Sequence, residues 1–263
     1  EYTSTGAAFD FDSDGFSNLA ELRANSNPRE AGDTPENRPD VEIRWVNPIE
    51  APTIDGLYDS IWDRAQFSDV SGEQLSIDNL MINQGAVRPD GNTEFRWFAM
   101  HDDTSLYIFV LGENVDTVTP IRDSTNVWQD DNLNIFIDGD NSKLSNYDGV
   151  DDLHIFIPLL TSPSDPSENS TVFVAGENSA PVPEFEFATC LCSDGQHTWE
   201  IKLPLDALNI RKNVPFGFDI QIDEDNDGGA RDARWAWFHP SRTTVDVDNT
   251  WTTPSFMGTA VIR

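Results

Sequence analysis

The chain has 263 residues, 38% hydrophobic and 11% aromatic, with 47 acidic against 16 basic side chains and a net charge of −31. That apolar content supports a full core and excludes a disordered acidic tail, so one principal globular domain with an appendage is expected. The negative field repels phosphate backbones and anionic lipid, which argues against nucleic acid or a membrane as partner and leaves neutral ligands and divalent cations.

The first patterned segment is FDFDSDGFSNLAELRANSNP. Asp10, Asp12, Asp14, Gly15, Phe16, Asn18 and Glu21 fall at positions 1, 3, 5, 6, 7, 9 and 12 of a calcium loop. Carboxylates at alternating positions surround the ion, Gly15 permits the sharp turn, Phe16 offers its carbonyl, and Glu21 closes the shell from the start of a helix, within the short amphipathic stretch Phe16 to Ala24. The segment resembles the thrombospondin type 3 and EF-hand-like repeats of secreted bacterial proteins, and a lone loop of this kind implies a structural clasp. Residues 1–27 are thus expected to be a calcium-binding loop and helix, and 28–40, rich in Pro, Asn, Asp and Glu, a linker.

From 41 to 263, short β-branched and aromatic runs recur between Gly, Asp, Asn, Pro and Ser clusters: EFRWFAMH, SLYIFVLGE, NLNIFID, DLHIFIPLL, STVFVAG, EFEFATC, TWEIKLP, FGFDIQID, ARWAWFHP and GTAVIR. Several alternate strictly, such as Trp199 to Leu203, giving one wet and one packed face. This predicts an all-β fold, a two-sheet antiparallel sandwich of jelly-roll or Greek-key type, with one helical turn near Pro204 to Leu208. Trp97, Trp199 and Trp235 alternate within strands and are expected in the core.

Between two strands lies FIDGDNSKLSNYDGVDD, where Asp138, Asp140, Asn141, Asp148 and Asp151 offer a second calcium set or else a solvated turn. Asp223, Asp225, Asp227 and Gly228 open a loop of the same kind, but its closing position is Arg234, a cation, so DEDNDGGARD reads as a hairpin turn. The two cysteines, Cys190 and Cys192, share a strand face and allow either a disulfide or two free thiols. No apolar run approaches the roughly 18 residues of a membrane span, and EYTSTGAAF lacks signal-peptide blocks, so a soluble monomer with a processed start is expected. Acidity, the calcium motif and few cysteines point to a secreted bacterial protein.

Three pieces, IDGLYDSIWDRAQ, NVWQDDNLNIFIDGDNS, and FGFDIQIDEDNDGG with WAWFHP and NTWTTPSFMG, resemble in order the family 9 carbohydrate-binding modules over roughly residues 45 to 263. The resemblance implies a β-sandwich with bound calcium that recognises terminal sugars of β-glucans and xylans and accompanies plant-polysaccharide hydrolases. It makes Asp55, Gly56, Asp59 and Trp62 the opening motif, with a structural Trp. Trp128 and Trp251 become the pair that clamps a sugar ring, Gln221 and Asn249 its polar partners, and Trp237 with His239 an ordered loop. The family's carboxylate falls on Asn134 and its basic residue on Phe156, with His154 as the substitute. Packing of sugar C–H faces on indole, with hydroxyls met by oriented polar groups, is sound chemistry for such a set.

No catalytic spacing stands out. The four histidines match no metal-hydrolase motif, and among 47 carboxylates an acid pair has no distinctive weight. The chain reads as non-catalytic, with an attached or partner glycoside hydrolase. Two alternatives stand: a calcium-stabilised spacer without sugar binding, and a haem-binding sandwich of the DOMON type using Met100 or Met257 with His154.

Overall fold

Successive strand residues point to opposite faces, so Asn132–Asp138 commits Leu133, Ile135 and Ile137 to the core and Asn132, Asn134, Phe136 and Asp138 to the other side. A computed structural model shows this rule at work along the chain. It describes residues 9–13, 15–18, 28–29, 31, 39–65, 79–80, 94–113, 127–159, 173–174, 179–192, 196–225, 231–238 and 249–263. Two compact units, Glu1–Asp40 and Val41–Arg263, are distinguished.

In the first unit the Asp10 carboxylate accepts from the Ser13 and Gly15 N–H groups at 2.7 and 3.0 Å, and Asn18 Oδ1 accepts from Phe11 N–H at 3.0 Å. Ser13 and Gly15 have positive φ. Asp14 and Glu21, together with most of the expected helix and linker, lie outside the described residues.

The second unit contains β1 (Val41–Trp45), β2 (Asn79–Leu80), β3 (Glu94–His101), β4 (Ser105–Glu113), β5 (Asn132–Asp138), β6 (Asp152–Pro158), β7 (Phe173–Val174), β8 (Glu186–Leu191), β9 (His197–Pro204), β10 (Phe216–Glu224), β11 (Ala233–Ala236) and β12 (Gly258–Ile262). Hydrogen bonding runs unbroken in the order β7-β6-β5-β10-β12-β1-β3-β4-β9-β8, with β11 branching from β10 and pairing with β2. The expectation of two separate antiparallel sheets is corrected here. β1 pairs in parallel with both β12 and β3, and so joins the halves into one curled sheet. VEIRW was not among the strand runs, although its buried Val41 and Ile43 alternate with exposed Glu42 and Arg44.

The halves face each other across the core. Trp97 of β3 meets Phe218 of β10 at 5.2 Å between ring centres, Phe95 meets Trp235 at 5.8 Å, and Trp199 of β9 donates its indole N–H to the Ile157 carbonyl of β6. Trp62, Trp97, Trp199 and Trp235 are all fully buried. The helical segments described in this unit are 3-10 turns, including Asp206–Leu208 where one turn was expected. No helix among the described residues is long and apolar enough to cross a membrane. Cys190 and Cys192 form a disulfide with Cα atoms 5.3 Å apart.

A buried carboxylate fixes the opening motif. Glu200 of β9 is fully buried; one oxygen accepts from the Asp55 and Gly56 N–H groups, each at 3.0 Å, and the other from Trp62 Nε1 at 3.1 Å. Trp62 lies on Phe109 at 5.5 Å. Gly56 has φ +79°, and a Cβ there would come within 2.9 Å of the Thr189 backbone, so both conformation and space require glycine. Burial pushes the Glu200 carboxyl up from 4.5 to about 7, against the pull of its three donors. A raised folded-state value means that its contribution is complete below pH 4.5 and declines as pH rises through about 7. Glu200→Gln removes an acceptor and should cost about 1–3 kcal/mol at low pH. In denaturant titrations the stability gap between wild type and this variant should be widest below pH 5 and narrow towards pH 8; a gap that widens with pH would contradict this account.

Candidate functional site

The site face is built by strand register. Residues directly opposite on antiparallel strands share a face. Asn134 is opposite Gln221 on β10 and Phe156 on β6, Phe136 is opposite His154 and Asp219, and Asp223 is opposite Asn132 and Arg234. The outer side of β5, β6, β10 and β11 therefore carries amide, imidazole, carboxylate and guanidinium groups, of which Asn134, His154, Asp219 and Gln221 are fully buried.

Asn134 lies at the centre of this layer. Its Nδ2 donates to Asn132 Oδ1 at 2.8 Å and Asp223 Oδ2 at 2.9 Å, and its Oδ1 faces His154 Nε2 at 2.9 Å and Arg234 Nη2 at 3.2 Å. Because a carboxylate oxygen only accepts, Asp223 fixes which end of the amide is NH2. Oδ1 must then accept from His154, which sets the Nε2–H tautomer. Burial, reinforced by the Arg234 charge, holds the His154 pKa well below its ordinary value, so the ring is neutral. Its Nδ1 is left as a buried lone pair with no hydrogen-bond partner among the described residues. The ring is stacked on Phe136 at 4.0 Å and tilted against Phe156 at 4.5 Å.

Both expected clamp residues are exposed, Trp128 by 45% and Trp251 by 46%. Trp128 lies in the 3-10 turn Val127–Gln129 leading into β5, and Arg231 Nη1 donates to its carbonyl at 3.1 Å. Trp251 follows Thr250, whose carbonyl accepts from Tyr147 Oη at 2.8 Å. Tyr147 clusters with Met257 and Phe136, the ring stacked on His154. Trp128 and the backbone at Thr250, next to Trp251, are thus linked to the Asn134 layer, one through Arg231 and Asp223, the other through Tyr147 and Phe136.

Of the polar partners, Gln221 donates to Asp219 Oδ2 at 2.9 Å, and Asn249 is partly buried, its carbonyl accepting from the Thr252 and Thr253 N–H groups. Asn134, expected as a ligand to sugar, has both amide protons and its oxygen engaged within the protein, which makes it a scaffold for His154. Trp237 packs on Trp97 and Phe218, whereas His239 lies outside the described residues. Of the residues considered for haem, Met100 belongs to the main core, Met257 to the separate Phe136 cluster, and His154 Nε2 is engaged by Asn134.

At the far end of β5, oxygens of Asp138, Asp140 and Asp151 all lie within 4.8 Å of one another. Asp138 is capped by the Ser142 and Lys143 N–H groups, and Asn209 donates to Asp151 Oδ2 at 2.7 Å. Buried Asn141 Oδ1, Asp151 Oδ1 and Asp152 Oδ1 have no hydrogen-bond partner among the described residues. Asp148 Oδ1 instead accepts from Val150 N–H at 2.7 Å. Burial raises the carboxyls of Asp138 and Asp151, the latter aided by Asp140 and Asp148, and raises Asp152 to about 7. Hard oxygen donors only partly met by N–H groups among the described residues, in a partly buried like-charge cluster, could hold a cation.

Sequence reasoning missed Arg231, Phe136 and Tyr147. Arg234, noted as a cation where a calcium loop requires a carboxylate, carried the signal: it pairs with Asp223 at 3.1 Å.

A curled β-sheet with exposed indoles beside a buried polar layer defines a carbohydrate-binding type of module. Residues 54–263 match the family described as Carbohydrate family 9 binding domain-like, and the chain belongs to that family. The module is a non-catalytic carbohydrate-binding domain. It is 24% identical over 209 residues to endo-1,4-beta-xylanase A of Thermotoga neapolitana, covering 79% of this chain and 16% of that protein. It is 26% identical over 211 residues to exoglucanase XynX of Acetivibrio thermocellus, covering 80% and 16% respectively. The chain therefore spans about a sixth of the length of these relatives. A family 9 module from Caldicellulosiruptor kristjanssonii, solved with cellotriose and with glucose, shares the fold at a TM-score of 0.62 and 20% identity, over 85% of this chain and 93% and 95% of those chains.

If the Asp138 cluster holds a cation, adding a divalent ion to chelator-treated protein should raise the melting temperature by mass action. Asp151→Asn should remove most of that gain in calorimetry. Identical melting with and without chelator would exclude an energetic role for the cluster.

Proposed function

We propose that this module binds terminal sugars of plant or algal β-glucans or xylans and thereby holds an attached or partner glycoside hydrolase on polysaccharide, in a secreted bacterial protein. The observation that carries the reading is the pair of exposed indoles, Trp128 and Trp251, each tied to the same buried polar face. Glucose and cellotriose in the related solved modules, and xylanases and an exoglucanase among the relatives, support the substrate class. In this reading the two indoles take the faces of one ring and Asn249 meets its hydroxyls, while the fully buried Gln221, His154 and Asn134 form the polar layer behind the site. A one-ring site makes few contacts, so affinity near about micromolar or weaker is expected, and local concentration of the enzyme is the benefit.

Calcium is the proposed ion at Asp138, Asp140 and Asp151, with Asn141 beside them, since all offer hard oxygen. The same ion is proposed for the first loop through Asp10, Asp12, Asp14, Phe16, Asn18 and Glu21, where the Asp10 and Asn18 hydrogen bonds already close the turn. Its role in both places is structural: it balances carboxylate charge and orders the loop.

Titration calorimetry with cello- and xylo-oligosaccharides in calcium buffer, before and after borohydride reduction of the chain end, tests the function. Heat should appear with intact sugars and vanish on reduction, and Trp128→Ala or Trp251→Ala should each weaken binding by at least about tenfold, the loss of a hot-spot aromatic. Binding that survives both substitutions would overturn the assignment of the face, and heat that survives reduction would overturn chain-end recognition.

A further inference from the structure

Arg231 sits in the β10–β11 hairpin, far in sequence from Trp128, yet it is largely buried against that tryptophan. Its Nη1 reaches the Trp128 carbonyl at 3.1 Å and Asp223 Oδ1 at 2.9 Å, and its guanidinium carbon lies 5.6 Å from the Trp128 ring centre. One side chain therefore holds both the backbone and the ring of an exposed tryptophan. Asp223, fully buried, also binds Arg234 and Asn134 Nδ2, and Asn134 binds His154. The chain of contacts runs from the Val127–Gln129 turn through the hairpin to β5 and β6.

We infer that Arg231 is a positioning residue for Trp128, setting the indole as a preordered platform with one side backed by the guanidinium; its bearing on affinity rests on the sugar-binding reading above. An exposed tryptophan in a short 3-10 turn has few packing contacts to select one rotamer, and a ligand that must order it loses affinity. A guanidinium suits the task because its planar fork reaches a carbonyl and a carboxylate while presenting a charged face to the ring. Lysine, a compact charge on a flexible stem, reproduces only part of this.

The test compares wild type with Arg231→Met and Arg231→Lys. Asp223 keeps Arg234 and Asn134 in both, which favours a folded product, and a melting curve verifies it. The indole N–H resonance of Trp128, assigned by its loss in Trp128→Phe, reports the hold on the ring without any sugar. In Arg231→Met that resonance should shift and broaden, and calorimetry with cellobiose or xylobiose should show binding weakened about tenfold, the size of one unordered side chain and one lost cation–π contact. Arg231→Lys should recover part of both signals. An unmoved resonance, or unchanged affinity with a moved one, overturns the inference. If wild type binds no sugar, the functional reading fails, and the resonance alone then decides whether Arg231 positions Trp128.

Discussion

A polar layer buried on a sheet face is stable only if nearly every donor and acceptor in it is matched, and in this module the matching converges on Asn134. An amide has two donors and an acceptor oxygen, and here four neighbours meet them. The consequences run outward. Asp223 is oriented by the NH2 end, His154 takes a defined tautomer from the oxygen, and Asp223 in turn holds Arg231, which reaches the Trp128 turn. Where the family pattern places a carboxylate at this position, a charge there would face Asp223 directly; an amide instead donates to it, so the departure at Asn134 is consistent with its neighbours.

The two halves of the sheet use buried carboxylates differently. Glu200 finds three N–H donors within the protein and thereby fastens the Asp55–Trp62 segment to the outer side of β4 and β9. The Asp138 cluster is only partly met by N–H groups, leaving oxygens of Asn141, Asp151 and Asp152 without hydrogen-bond partners among the described residues. Burial raises the carboxyls of both sites, but only the second has the geometry in which a cation supplies what the backbone does not.

Much of this was legible in the sequence. Period-two runs located the long strands, and strand context separated the buried Trp97, Trp199 and Trp235 from the exposed Trp128 and Trp251. The joining of the halves was not legible, because parallel pairing of β1 with β12 and β3 depends on register between segments more than 50 residues apart and leaves no trace in VEIRW itself. Composition also concealed Arg231: in a stretch as polar as DEDNDGGARD every side chain reads as solvated, and only the fold brings this one under an indole. The hydrogen bonding of Asn134 was not legible either, since it depends on four partners drawn from three other strands and its own.

Neither exposed tryptophan is held by burying its ring. A long-range donor takes a main-chain carbonyl instead, Arg231 at Trp128 and Tyr147 at Thr250 beside Trp251. Anchoring through the backbone restricts where each indole can point while leaving ring surface open to solvent, whereas anchoring through ring packing would consume the surface a ligand needs. Such preordering matters most for a small neutral ligand, which offers few contacts to offset the entropy of ordering two large side chains. The negative field of the remaining chain would not oppose an uncharged sugar, and among the described residues the guanidinium groups of this polar layer, Arg231 and Arg234, are both paired with Asp223. Under the proposed sugar reading, the arrangement would favour flat, uncharged rings with polar edges, with shape and hydroxyl pattern, rather than charge, left to discriminate among them.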